Sequence, residues 1–307
     1  MYSPQNISAT IISSNHETIR QACCTDRQET FSVMKNPLLQ KHQLASLPGL
    51  QERRVEVWLP PQYHQQPEAR FPVLYMHDGQ NLFKPKPRVY PGWQVSEKIS
   101  ALANANVITP PIVVGLWNTP NRLGDYLPAK PFESESGKAA LKAYLRGTPW
   151  RVNHIVSDLY LRWIVGQVKP YIDGKYRTLT GAEQTCLMGS SMGALISLYA
   201  VCEYPQVFGG AGCLSTHWPI GGDLFLEYLE EKLPSPAGHK LYFDYGTESI
   251  DAEYVPWQEK MDALALRHAY TPRQNYLSLV FPGESHHERF WAGRLHIPLS
   301  FLFSTNA

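Results

Sequence analysis

Arg54-Val55-Glu56-Val57-Trp58-Leu59 alternates polar and apolar positions, the period of a strand with one buried face. Further along, the apolar positions run together: Phe71 to Met76, Ile112 to Leu116, Thr185 to Met188, Gly212 to Leu214, Lys240 to Asp244 and Tyr276 to Phe281. Between these strands lie segments with helical spacing. Val95, Ile99 and Leu102 share one face, Ala194 to Ala200 reads as a helix, and further helices are expected over 222–232 and 254–267. Leu161, Ile164, Val165 and Val168 form a helical stripe that Pro170 is expected to end. The alternation continues through Val207-Phe208. Strand–helix alternation of this kind predicts an α/β fold, with a mostly parallel central sheet covered by helices on both faces. Residues 1–50 read as a polar leader and edge segment, with a first edge strand near Phe31-Ser32-Val33; residues 51–307 form the main domain. Residues 117–153 break the rhythm with Pro120, Pro128, Pro131 and Pro149 and a polar patch at 133–138. A long insertion between strand and helix is usually functional or mobile, so a lid is expected there.

Composition narrows the picture by exclusion. The chain has 307 residues, 43% of them hydrophobic, enough for a large core. A net charge of +1 and scattered Lys and Arg argue against nucleic acid or an anionic membrane as a partner. No stretch approaches the roughly 20 apolar residues of a membrane span. Met1 to Arg20 is polar and lacks the apolar core of a signal peptide. Of the five cysteines, Cys186, Cys202 and Cys213 lie in apolar segments and read as small core residues. Cys23 and Cys24 are adjacent, with no metal-site spacing. The expected location is the cytoplasm.

The chemistry centres on Gly189-Ser190-Ser191-Met192-Gly193, which lies between a strand and a helix. Small residues two before and two after a nucleophile let the backbone turn sharply and lift one hydroxyl clear. Ser191 is the candidate nucleophile; Ser190 would be turned away. Serine needs an imidazole to take its proton and a carboxylate to orient that imidazole. Both follow in the required chain order. The loop Gly246 to Asp251 follows one strand, and Pro282-Gly283-Glu284-Ser285-His286-His287-Glu288 follows another. His286 is the candidate base. Asp251 is the preferred acid, with Glu248 as the alternative in the same loop. The N–H groups of Met192 and of Gly79 or Gln80, in the loop after Phe71 to Met76, would form an oxyanion hole.

Further residues stand at strand ends near the expected site. Asp78, Trp117, Asn118, His217 and Trp218 are candidates for lining the substrate, and His217 precedes the acid loop, which makes it the lesser candidate for the base. His286-His287-Glu288 lacks metal-ligand spacing, so no metal or other cofactor is expected.

Leu59-Pro60-Pro61-Gln62-Tyr63, Tyr75-Met76-His77-Asp78-Gly79-Gln80-Asn81-Leu82-Phe83, the Gly189–Gly193 pentapeptide and the ending Gly283-x-x-His286-x-Glu288-x-x-Trp291 together resemble the putative-esterase family. That family includes enterochelin esterases, feruloyl and acetyl-xylan esterases and S-formylglutathione hydrolase. The resemblance covers roughly residues 50 to 304 and implies an α/β-hydrolase fold, a small-molecule ester substrate and no metal. It matches Ser191 and His286 to the family's nucleophile and base, and the 246–251 loop to its acid loop. Its Gly-Thr-x-x-x-Asp pattern favours Asp251 over Glu248. The ester itself stays open, as does the oligomeric state. A thioesterase or serine peptidase on the same fold, or a non-catalytic binding module, are the rival readings.

Overall fold

The computed structural model describes residues 38–83, 92–152 and 154–305. The expected strand at Phe31–Val33 and the pair Cys23-Cys24 lie outside them. Eight strands among the described residues form one sheet: β1 (Leu39–Gln43), β2 (Arg54–Trp58), β3 (Val73–His77), β4 (Ile112–Leu116), β5 (Thr185–Ser190), β6 (Gly210–Leu214), β7 (Lys240–Glu248) and β8 (Tyr276–Ser285). Their order is β1-β2-β4-β3-β5-β6-β7-β8. β2 pairs antiparallel with β1 and β4, and every other pairing is parallel.

The continuous apolar runs are explained by burial on both faces. Along β3, Val73 and Tyr75 join one core while Leu74 and Met76 join the other. The sheet therefore separates two apolar layers, each closed by helices, as a parallel α/β sheet requires.

Topology sets where a site can form. The chain leaves β3 toward β4 on one side and leaves β5 toward β6 on the other. The crevice between the C-terminal ends of β3 and β5 is the switch point where open α/β sheets bind ligands. Asp78-Gly79 and Ser191 stand at those two ends.

Three expectations need correction. Pro170 does not end its helix: Ser157–Trp163 passes through a π-helical turn, Ile164–Val168, into a helix over Lys169–Lys175. Proline crowds the carbonyl four residues back and lacks an N–H, and the wider turn just before it lets the helix continue. Val207-Phe208 lies outside any strand, Val207 in a turn that precedes β6. Finally, β7 and β8 run further than their apolar cores, pairing as far as Glu248 and Ser285 across an irregularity between Gly246 and Glu248. At Gly246 a Cβ would stand 2.1 Å from the Glu284 carbonyl oxygen, so only glycine permits this approach.

Over its described residues, 117–152, the insertion is folded. It holds a short helix at Arg122–Tyr126, a turn at Lys130–Phe132 and a helix at Glu135–Arg146 capped by the Ser134 side chain. It is anchored by a buried ion pair, Arg53 to Asp125 at 3.1 Å, with both side chains 1% exposed. The Thr119 hydroxyl donates to the same carboxylate, and the Arg53 guanidinium lies over the Tyr160 ring.

Candidate active site

Ser191 has φ +59° and ψ −120° between β5 and the helix Met192–Glu203. A non-glycine residue with positive φ is strained, and it persists only where the surroundings hold it. Three contacts do so. The Ser191 N–H donates to Leu214 O at 2.9 Å, and its carbonyl accepts from His217 N–H at 3.3 Å. Behind it, a Cβ on Gly189 would meet the Gly193 carbonyl carbon at 2.7 Å, so strand and helix can cross only with glycine there. The first glycine of the pentapeptide, Gly189, thus has a packing reason.

Ser191 and His286 line one cavity of about 350 Å³, together with Asp78, Asn81, Asn118 and Arg122 and the rings of Trp93 and Trp291. Ser190 and Glu288 also lie on its wall. A larger groove, about 630 Å³, lies within the insertion and includes none of these residues.

His286 Nδ1 lies 2.6 Å from Asp251 Oδ1. Asp251 is fully buried at the turn after β7 and also accepts from Ser215 Oγ at 2.6 Å and from Gly246 N–H at 2.9 Å. Burial by itself would raise this carboxyl, but the hydrogen bonds from His286 and Ser215 and the His286 charge outweigh it and hold it below the ordinary aspartate value. Glu248, the alternative acid, is exposed at the end of β7. The His286 ring also packs against Trp291, with ring centroids 4.9 Å apart and planes at 88°. Trp291 Nε1 donates to Ser215 Oγ, which also accepts from Arg294. Arg294 in turn forms a buried pair with Asp244.

On the β3 side, Gly79 and Gln80 open a short 3-10 turn, Gly79–Asn81. The first N–H groups of such a turn have no partner within it. A Cβ on Gly79 would come 2.7 Å from the Gly115 carbonyl carbon, so glycine lets the turn lie against β4. Met192 opens its helix, where the N–H groups of the first turn are likewise free of intrahelical partners.

Asp78 is held by Arg122 through two bonds, Nε to Oδ1 and Nη2 to Oδ2, each 2.8 Å, and by Asn118 Nδ2 at 2.6 Å. Burial pushes the Asp78 carboxyl up, but the Arg122 charge and hydrogen bonds more than reverse this, and it lies below its ordinary value. Arg122 had no motif to announce it, because it belongs to the insertion.

The remaining candidates are placed differently. His217 is not on the cavity wall: it is buried, with Nε2 2.9 Å from the Tyr144 hydroxyl and Nδ1 2.8 Å from that of Tyr254. Burial, followed by the charges of His286 and Arg122, pushes its pKa down to about 3. Trp218 is in the core, stacked on Phe243 and donating to Gln258. Trp117 lies under the Arg54 guanidinium, 4.5 Å from its ring centre. Apolar and aromatic side chains at strand ends are as easily core as site, and the tight turn after β6 directs His217 and Trp218 inward.

Among the described residues, no group of three or more His, Cys, Asp and Glu side chains could hold a metal ion, and no helix is long and apolar enough to cross a membrane. Cys186, Cys202 and Cys213 are buried free thiols, with burial pushing the Cys186 pKa up to about 12.

A mostly parallel sheet carrying a serine on a strained strand-to-helix turn at its switch point defines the α/β-hydrolase fold. The chain belongs to the family described as "Putative esterase", which it matches over residues 50–290. A serine hydrolase from Shewanella oneidensis, described as IroE-like, has a similar structure, with TM-score 0.65, 20% identity, and 86% of this chain and 80% of that one covered. The BES protein from Bacillus cereus superposes with TM-score 0.65 at 17% identity, over 91% of this chain and 100% of that one. In sequence, the chain is 23% identical over 261 residues to the uncharacterized protein YbbA of Bacillus subtilis, covering 83% of this chain and 94% of that one.

Proposed function

We propose that this protein hydrolyses a carboxylic ester through a Ser191–His286–Asp251 triad and an acyl-enzyme intermediate. The observation that carries the reading is the pairing of a buried Asp251 carboxylate with His286 on the wall of the cavity that Ser191 enters. His286 takes the Ser191 proton as the hydroxyl attacks the ester carbonyl, then gives it to the departing alcohol. Water, deprotonated by the same imidazole, then releases the acid. Asp251 keeps the imidazole proton on Nδ1, so that Nε2 is free to act as base. The N–H groups of Met192 and of Gly79 or Gln80 would stabilise the oxyanion. Family membership supports ester hydrolysis. A cavity of about 350 Å³ with several polar groups suits a small ester rather than a long acyl chain. Arg122, Asn81 and Asn118 would contact its polar atoms. Three buried free thiols fit a reducing compartment such as the cytoplasm.

The test is turnover of p-nitrophenyl esters, matched thioesters and short peptides of varied acyl length. Ester turnover that favours short acyl groups and vanishes in Ser191→Ala supports the reading. Faster cleavage of thioesters or peptides would move the function to those classes, and no turnover with any of them would leave a binding module.

A further inference from the structure

The pair of bonds on His217 has a direction, and it leads to the candidate catalytic histidine. Tyr254 Oη lies 2.8 Å from His217 Nδ1 and 3.4 Å from His286 Nδ1. His286 Nδ1 already faces the buried Asp251 carboxylate at 2.6 Å, so it carries the proton and donates. It therefore cannot accept from Tyr254. The Tyr254 oxygen meets that N–H as a second, longer acceptor, and its own proton must go elsewhere. His217 Nδ1 is the acceptor within reach. A neutral imidazole that accepts at Nδ1 carries its proton on Nε2, and 2.9 Å away stands the Tyr144 oxygen to receive it. The donors His286 Nδ1–H, Tyr254 O–H and His217 Nε2–H are thereby each given an acceptor, ending at the Tyr144 oxygen. The arrangement requires a neutral His217, and its depth in the fold keeps it so.

We propose, resting on the esterase reading above, that Tyr254 and His217 are positioning residues for His286, linked through Tyr144 to the inserted helix Glu135–Arg146. When His286 becomes imidazolium, its Nδ1–H strengthens as a donor. Tyr254 presents it with an oxygen lone pair made richer by donation to His217. His217 also bonds the nucleophile's backbone, through its N–H to Ser191 O at 3.3 Å. One residue thus ties the elbow, the base and the insertion together. On its far side it is clamped by the insertion, with the Trp150 ring centroid 4.9 Å away. A core network without catalytic consequence would set stability alone.

The test is Tyr254→Phe, which removes one oxygen and keeps the edge-to-face ring contact with His286. The expected result is a kcat loss on the order of tenfold, the effect of one ordinary hydrogen bond, with KM unchanged. The acid limb of kcat/KM should move to lower pH, because the imidazolium loses an acceptor. The other groups facing His286 are left in place: Asp251, His217, and Asp78, Arg122 and Glu288 around the cavity. The downfield proton resonance of Nδ1–H should shift as well. Tyr144→Phe should act in the same direction and more weakly, and the double variant should lose less than the product of the two. Labelling of Ser191 by a fluorophosphonate separates the two readings. A parent protein that is not labelled overturns the esterase reading and this proposal with it. A labelled parent, with Tyr254→Phe labelled equally fast and its resonance and acid limb unmoved, overturns this proposal alone. Retained melting temperature with lost kcat supports it; lowered stability with unchanged kcat refutes it.

Discussion

Asp251 and His286 are 35 positions apart in the chain, yet their side chains meet at 2.6 Å because the ends of β7 and β8 stay paired up to Glu248 and Ser285. The carboxylate is then surrounded by three donors and has no exposed surface. Asp251→Asn should therefore keep the fold while favouring the wrong His286 tautomer, with kcat falling about 10⁴-fold. Glu248→Gln, at an exposed strand end, should change kcat less than about twofold, the range of a surface change. Steady-state kinetics on variants of equal melting temperature decides it, and the reverse ranking would move the acid to Glu248.

Ser191→Ala should abolish both ester turnover and fluorophosphonate labelling. Ser190 shares the cavity wall but not the raised position at the turn, so Ser190→Ala should keep most of the activity. A labelled Ser191→Ala protein would refute the assignment.

The Arg53–Asp125 pair anchors the start of the insertion in a site with almost no solvent. Asp125→Ala strands a buried guanidinium and should lower stability by about 3–5 kcal/mol in urea unfolding. Joint replacement, Arg53→Met with Asp125→Leu, should cost much less, since the desolvation of both charges is removed with their attraction. A small loss in the single variant would mean that water reaches Arg53.

Acid sensitivity follows from two histidines. Burial pushes His77 and His217 down to about 3, while in the unfolded chain they titrate near the ordinary 6.5. Between these values the unfolded state binds more protons, so stability is full above 6.5 and is lost as pH falls toward 3. With two such groups the slope should reach at most about 2.7 kcal/mol per pH unit. Asp244, raised by burial, works in the opposite sense. Urea midpoints measured against pH should show the fall, and His77→Phe should flatten it by one proton. A slope unchanged in that variant would show that His77 is charged in the folded state.

Much of the architecture was legible in the order of residues. β4 coincides with the apolar run from Ile112, and the helix after Gln94 buries the expected Val95, Ile99 and Leu102. Strand period and continuous apolar runs are local signals, set by which faces must leave water, so they survive in a single sequence. The pentapeptide around Ser191 was legible for a related reason: Gly189 answers a backbone contact that no other residue tolerates. The order of serine, acid and histidine along the chain selected the candidate residues.

Local signals ended where the chain folds back on itself. The Gly-Thr-x-x-x-Asp pattern favoured Asp251 over Glu248, but no local signal in the loop announced the burial; strand pairing carries the Asp251 carboxylate inward and leaves Glu248 in water. Arg122 and Tyr144 sit in an insertion with no motif, and they reach Asp78 and His217 only through packing. His217 and Trp218 look like site residues in sequence because they follow a strand end, and the turn after β6 buries both. The sequence by itself determined the sheet, the sharp strand-to-helix turn at Ser191 and the chemical types available. Only the tertiary structure decided which of them face the cavity, because that depends on contacts between segments far apart in the chain and on which polar groups are removed from solvent together.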